Sequence, residues 1–333
     1  MSLGLGRGGK RALAVFTVAA GALLALAGAA SGATNLSLVA YSTPQDAYEA
    51  LIPAFQHTKA GKGVTFSQSY GASGDQSRAV ANGLPADVVA FSLSPDVDRL
   101  VQTGQVPTTW NQDAFKGIVT RSVVVLTVRK GNPKHIKDWS DLTKPGVDVL
   151  IPNWQTSGGA KWDVIAAYGA IRKAGGDDAA GRQYLRDLYK NVSVQDKSAR
   201  ESLQTFSSGK GDVLIGYESE GLPAIAAGNP VEMIRPSYTL LIQNPVAVSG
   251  ASSNPTQAKA FVQYLWTPEA QTIWAQDGYR PVDKTVFAKF KKSFPTPHGV
   301  FKITQFGLGG WNSVTPKFFD PTNGIVTKIA SGV

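Results

Sequence analysis

The stretch "IPNWQTSGGAKWDV", residues 151–164, leaves an apolar run, crosses Thr156, Ser157, Gly158 and Gly159, and enters a helical pattern. Two adjacent glycines at a helix start cost conformational entropy, so a reason for them has to be found. The first N–H groups of a helix lack intrahelical acceptors, and the macrodipole adds about half a positive charge there. Glycines without Cβ atoms let an oxyanion come close to such bare N–H groups. The same pair also suits a tight turn beneath a packed helix. Either way, strand, polar turn and helix in this order form the unit of an α/β fold, in which ligands bind at the carboxyl ends of the strands.

Working outward, the same handover recurs. Strand-like runs "LSLVAYS", "VTFSQSY", "ADVVAF", "DVLIP", "VSVQ" and "DVLIGY" alternate with helical segments, predicting an α/β architecture with mixed, largely parallel sheets. Tyr48, Leu51, Ile52 and Phe55 recur at i, i+3, i+4 and i+7, one buried helix face, as do Ala258, Phe261, Val262 and Leu265. The long runs "SVVVLTVRKGNP" and "LLIQNPVAVS" flank a middle segment with strands and helices of its own, the pattern of a chain that crosses to a second lobe and returns.

Four of the helix starts share one chemistry. In "AYSTPQDAYEA" Thr43 is placed to N-cap, with Pro44 at the first helical position and Asp46 in the first turn. In "SYGASGDQSRAV" Ser73 and Gln76 have capping-box spacing, and in "QDKSARESLQTF" so do Ser198 and Glu201; Ser157 heads the glycine pair. Capping boxes need no ligand. Converging, however, four such starts line a pocket with N–H and hydroxyl donors suited to a fully ionised tetrahedral oxyanion, whose binding has little dependence on pH near neutrality.

The chain's 333 residues are 43% hydrophobic and 17% charged, which fits a globular protein of one large or two medium domains. Arg7, Lys10 and Arg11 precede the apolar run "ALAVFTVAAGALLALAGAA" and the small residues "SGAT", which predicts a signal peptide over 1–33 with cleavage after Ala33. The remainder carries 30 basic against 24 acidic residues, a net charge of +6 without runs of like charge, a poor match to a nucleic-acid binder. There is no cysteine, hence no disulfide and no lipid anchor on an N-terminal cysteine; an exported protein of this kind relies on its core and is expected free in the periplasm.

Catalytic and metal patterns are thin. His57, His135 and His298 stand apart without HExxH-like spacing, and "GASGD" around Ser73 lacks the last glycine of a nucleophile elbow. "SSGK" at 207–210 has no KTG partner. Neither a catalytic group, a cofactor nor a metal is expected. A secreted serine hydrolase with Ser73 as nucleophile is the alternative from another class.

The blocks "SYGASGDQSRAVANGLPADVV", "VRKGNPKHIKDWSDLTKPGVDVLIPN", "TSGGAKWDVIAAYGA", "GDVLIGYESE" and "YRPVD" resemble, in order and spacing, the sulfate/thiosulfate-binding proteins of bacterial ABC importers, over nearly the whole length after residue 33. The resemblance implies a two-lobed type II periplasmic binding protein with a two-stranded hinge: lobe I from 34–124 and 243–333, lobe II from 125–242. It implies a monomer that closes on one dehydrated dianion, sulfate or thiosulfate, and delivers it to ABC permease membrane subunits. Carried over position by position, the anion contacts are Ser42, Ser73, Ser157, Gly158, Gly159, Ala199 and Tyr217, with Arg200 steadying the turn at Ala199 from behind. Three positions depart from the family pattern: Ser42 replaces its usual Asp, Tyr217 the Trp of sulfate-specific members, and Asp75 a common Lys. "ASG" followed by "GLPADVVAFS" also resembles molybdate/tungstate-binding proteins, and phosphate is the remaining alternative ligand. Donor-only chemistry disfavours phosphate, because hydrogen phosphate brings a proton that needs an acceptor, and an unmatched buried polar group costs ~1–3 kcal/mol.

Overall fold

The computed structural model describes residues 34–331; the expected signal peptide lies outside them. The strands are β1 (Thr34–Tyr41), β2 (Val64–Gly71), β3 (Val88–Ala90), β4 (Ile118–Arg129), β5 (Val149–Leu150), β6 (Val192–Val194), β7 (Val213–Tyr217), β8 (Val231–Ile234), β9 (Tyr238–Val248), β10 (Arg280–Pro281) and β11 (Gly299–Phe301). The helices are α1 (Gln45–His57), α2 (Ser73–Ala81), α3 (Ser94–Gln102), α4 (Gly158–Lys173), α5 (Asp178–Lys190), α6 (Ala199–Ser207), α7 (Glu218–Ala226), α8 (Pro255–Tyr264), α9 (Pro268–Gln276), α10 (Lys284–Lys289), α11 (Trp311–Phe319) and α12 (Ile325–Ala330).

With β8 and β10 paired to β4 and β11 to β9, the other eight strands follow one path, β2-β1-β3-β9-β4-β7-β5-β6. Within it β1 is parallel to β2 and β3, and β5 is parallel to β6 and β7, as strands joined by helical crossovers must be. The long strands β4 and β9 run antiparallel to their neighbours β7 and β3 and to each other. Each changes partners along its length: Val123 of β4 still pairs with Leu241 of β9, whereas Val124 pairs with Tyr217 of β7. Ten of the twelve β4 residues are buried, which its β-branched sequence satisfies on both faces. Pro245 can give no N–H to the ladder, and the β4/β9 register shifts opposite it, between Ile118 and Thr120.

Two principal cores lie on either side of this crossing. One joins Leu36, Leu38, Tyr48, Leu51 and Phe55 to Phe261, Trp274 and Tyr279. The α1 face expected from its spacing is thus buried, at ~1.5–3 kcal/mol for each large apolar side chain. The other core joins β4, β7, α4 and α5. It also takes Phe301, Ile303, Val314, Phe318, Phe319 and Val326. The same core takes in Tyr41, Leu93 and Val124, so the C-terminal segment shares it with residues of both expected lobes. Within it β11 pairs in parallel with Tyr238–Leu240, and the rings of Phe318 and Tyr168 meet edge-on at 4.8 Å.

Candidate functional site

β1, β2, β6 and β7 each hand over to a helix, at α1, α2, α6 and α7, while α4 starts a few residues beyond β5; these helix starts meet around one cavity of about 10 Å³. That is far below the ~300–1,000 Å³ of pockets for drug-sized ligands. All seven expected residues, Ser42, Ser73, Ser157, Gly158, Gly159, Ala199 and Tyr217, line it, joined by Tyr41, Thr43, Ser92 and Ser198. Among the described residues no charged side chain is on the wall.

The caps differ in how they form. Ser157 caps α4, its Oγ accepting the Ala160 N–H at 3.3 Å. Ser198 and Glu201 make the expected capping box on α6. At α1 the cap falls on Pro44 rather than Thr43, whose hydroxyl instead donates to Glu220 Oε1 at 3.3 Å. At α2 the cap is Ala72, so the Ser73–Gln76 box does not form. Ser73 is the first helical residue; its hydroxyl donates to the fully buried Asp96 at 2.6 Å and accepts the Ser92 N–H at 3.0 Å, while Gln76 bonds Ser69. A local capping rule loses here to a carboxylate 23 residues away.

Ser73, Gly158, Gly159 and Ala199 thus occupy first or second helical positions, where N–H groups have no intrahelical acceptor. No protein acceptor takes these four N–H groups among the described residues. Gly158 has a further reason to be glycine. A Cβ there would lie 2.2 Å from Leu93 Cδ2 and 2.7 Å from Ser92 Cβ, so backbone presses directly on the opposite wall.

The walls are held together across the cleft. Arg200 Nε donates to the Ser42 carbonyl at 3.1 Å and its terminal nitrogen to Asp46 at 2.9 Å, so Arg200 holds the Ser42 turn rather than its own. Gly74 N–H donates to Thr156 O at 2.9 Å, and Arg78 to Gln155 O at 3.1 Å. Asp75 pairs with Arg78 and, across the cleft, with Lys197 at 3.3 Å; it is not on the cavity wall. Tyr217 is fully buried, which pushes its phenol well above the usual range and keeps it neutral. Behind the wall Glu220 is raised to about 7 by burial, against the attraction of Arg200.

Sequence reasoning missed Ser92, although "AFSLSPD" is itself a strand-to-helix handover of the kind found elsewhere. No histidine among the described residues lines the cavity, and the Ser73 hydroxyl donates to the buried Asp96 carboxylate. Among the described residues no group of three His, Asp or Glu side chains is placed to hold a metal ion, and no helix is long and apolar enough to cross a membrane.

Residues 36–280 match the family model described as bacterial extracellular solute-binding protein. The chain is 42% identical to the sulfate-binding protein of Synechococcus elongatus, covering 86% of this chain and 83% of that protein. It is 37% identical to the thiosulfate-binding protein of Pseudomonas aeruginosa, covering 93% and 96%. Among solved structures it is similar to the sulfate-binding protein SubI from Mycobacterium tuberculosis H37Rv, with 45% identity, a TM-score of 0.83, and coverage of 86% of this chain and all of that one. The fold is that of type II periplasmic binding proteins. By family model, by relatives and by architecture, this chain belongs to the bacterial extracellular solute-binding proteins.

Proposed function

We propose that the protein binds sulfate or thiosulfate outside the cytoplasm and delivers it to an ABC permease, without catalysing a reaction. The observation that carries this is the convergence of four unengaged helix-start N–H groups on a small cavity that no charged side chain among the described residues lines. A tetrahedral dianion matches every donor there and brings no proton in need of an acceptor. Donors to a charged group contribute ~1.5–3 kcal/mol each, enough together to offset loss of the anion's water. The names of the relatives at 37–42% identity support the same ligand class. Its anion site is built from Ser42, Ser73, Ser157, Gly158, Gly159, Ala199 and Tyr217. Lobe I comprises 34–124 and 243–333, and lobe II comprises 125–242. The protein acts as a monomer, free in the periplasm.

Calorimetric titration of the mature chain with sulfate, thiosulfate, molybdate and phosphate tests the reading. Sulfate or thiosulfate is expected to bind at micromolar concentration or below, and phosphate not at all. Tighter binding of phosphate or molybdate than of both sulfur oxyanions would falsify it.

A further inference from the structure

Ser92, on the turn between β3 and α3, is 1% exposed and lines the cavity, and all of its polar groups are engaged. Its N–H donates to Ser73 Oγ at 3.0 Å, and its carbonyl accepts Trp162 Nε1 at 2.9 Å and Asn244 Nδ2 at 3.0 Å. Its Oγ lies 2.6 Å from the Tyr217 hydroxyl, on the opposite wall. One residue thus ties α2, α4, β9 and the end of β7 together, and Gly158 packs against its Cβ.

Two hydroxyls at 2.6 Å use one of their two protons between them, leaving one for a ligand. A phenol is the more acidic hydroxyl, so it donates better and accepts worse than an alcohol. The favoured order is therefore Tyr217 O–H to Ser92 Oγ, and Ser92 O–H to the anion. Each bond in such a chain polarises the next, and a negative ligand at its end reinforces the direction. We propose that Ser92 is a further anion-binding residue of this site and that Tyr217 acts on the ligand through it rather than by direct contact. Resting on the oxyanion reading above, this makes the pair one donor assembled from both walls, present only when the cleft is shut.

A double-mutant cycle on the full mature chain tests this, with Ser92→Ala, Tyr217→Phe and the double variant titrated with sulfate and followed by stopped flow. Ser92→Ala keeps the backbone bonds to Ser73, Trp162 and Asn244, so its melting point is expected close to wild type. It is expected to weaken binding at least about tenfold, the worth of one donor to a charged group, mainly through faster release. Tyr217→Phe alone is expected to cost less, and to add little once Ser92 is alanine. Additive losses, or a Tyr217→Phe loss as large as that of Ser92→Ala, would overturn the relay. If wild type binds molybdate or phosphate instead, the sulfate reading fails and the cycle is read on that anion. Wild type that binds none of them overturns both.

Discussion

Gly158 shows how one missing Cβ serves two ends. Its N–H is free for a ligand, and its bare Cα lets the second wall close on Ser92 and Leu93. Gly158→Asp puts a Cβ into the Leu93 side chain and a carboxylate against the anion site. Sulfate affinity is expected to fall at least about 100-fold, the worth of two donors at ~1.5 kcal/mol each, while far-ultraviolet circular dichroism keeps its wild-type shape. Unchanged affinity by calorimetry would reject this wall as part of the site. Position 158 was legible as a place of close approach; that a side chain and not only an anion does the approaching was not, because Ser92 is 66 residues distant in sequence and nothing local points to it.

At the scale of elements, Ser198 and Glu201 cap α6 reciprocally, and Ala199 follows with its N–H in the cavity. Ser198→Ala removes one half of that box. We expect a loss of about 1 kcal/mol in urea-denaturation stability, with sulfate affinity reduced less than tenfold because the Ala199 N–H itself remains. A larger effect on binding than on stability would mean that the Ser198 hydroxyl is itself a ligand donor. The caps at Ser157 and Ser198 could be read from spacing because their partners lie within the same turn. Those at Thr43 and Ser73 could not, since Glu220 and Asp96 draw the two hydroxyls away from their own helices. Periodicity found the buried face of α1, yet it could not say which core the C-terminal helices join. An apolar stripe specifies that a face is covered, not by what.

Across the whole molecule, closure gathers Asp46, Glu220 and Asp277 around Arg200. Burial raises Glu220 from 4.5 to about 7, and raises Asp277 from 3.8 to about 7, with Asp46 adding to the latter. Between their ordinary values and about 7 the closed form holds more protons than a form in which these groups meet water. Its stability therefore falls as pH rises from their ordinary values to about 7, and levels off above. Sulfate affinity is expected to be higher at pH 6 than at pH 8, with proton uptake on binding that calorimetry in two buffers of different ionisation heat would register. Glu220→Gln should flatten that dependence. The donor lining alone gives no reason for such a slope; it comes from groups behind the wall, whose burial only the folded chain reveals.

The packing of the C-terminal segment has a consequence for the order of assembly. The first core needs Phe261, Trp274 and Tyr279, and the second needs Phe301, Phe318 and Val326. The first can be completed once Tyr279 has been made, the second not before Val326. Folding then proceeds through contacts of large sequence separation, which makes it slow. The first core can thus close before the second, which waits for Phe318, Phe319 and Val326.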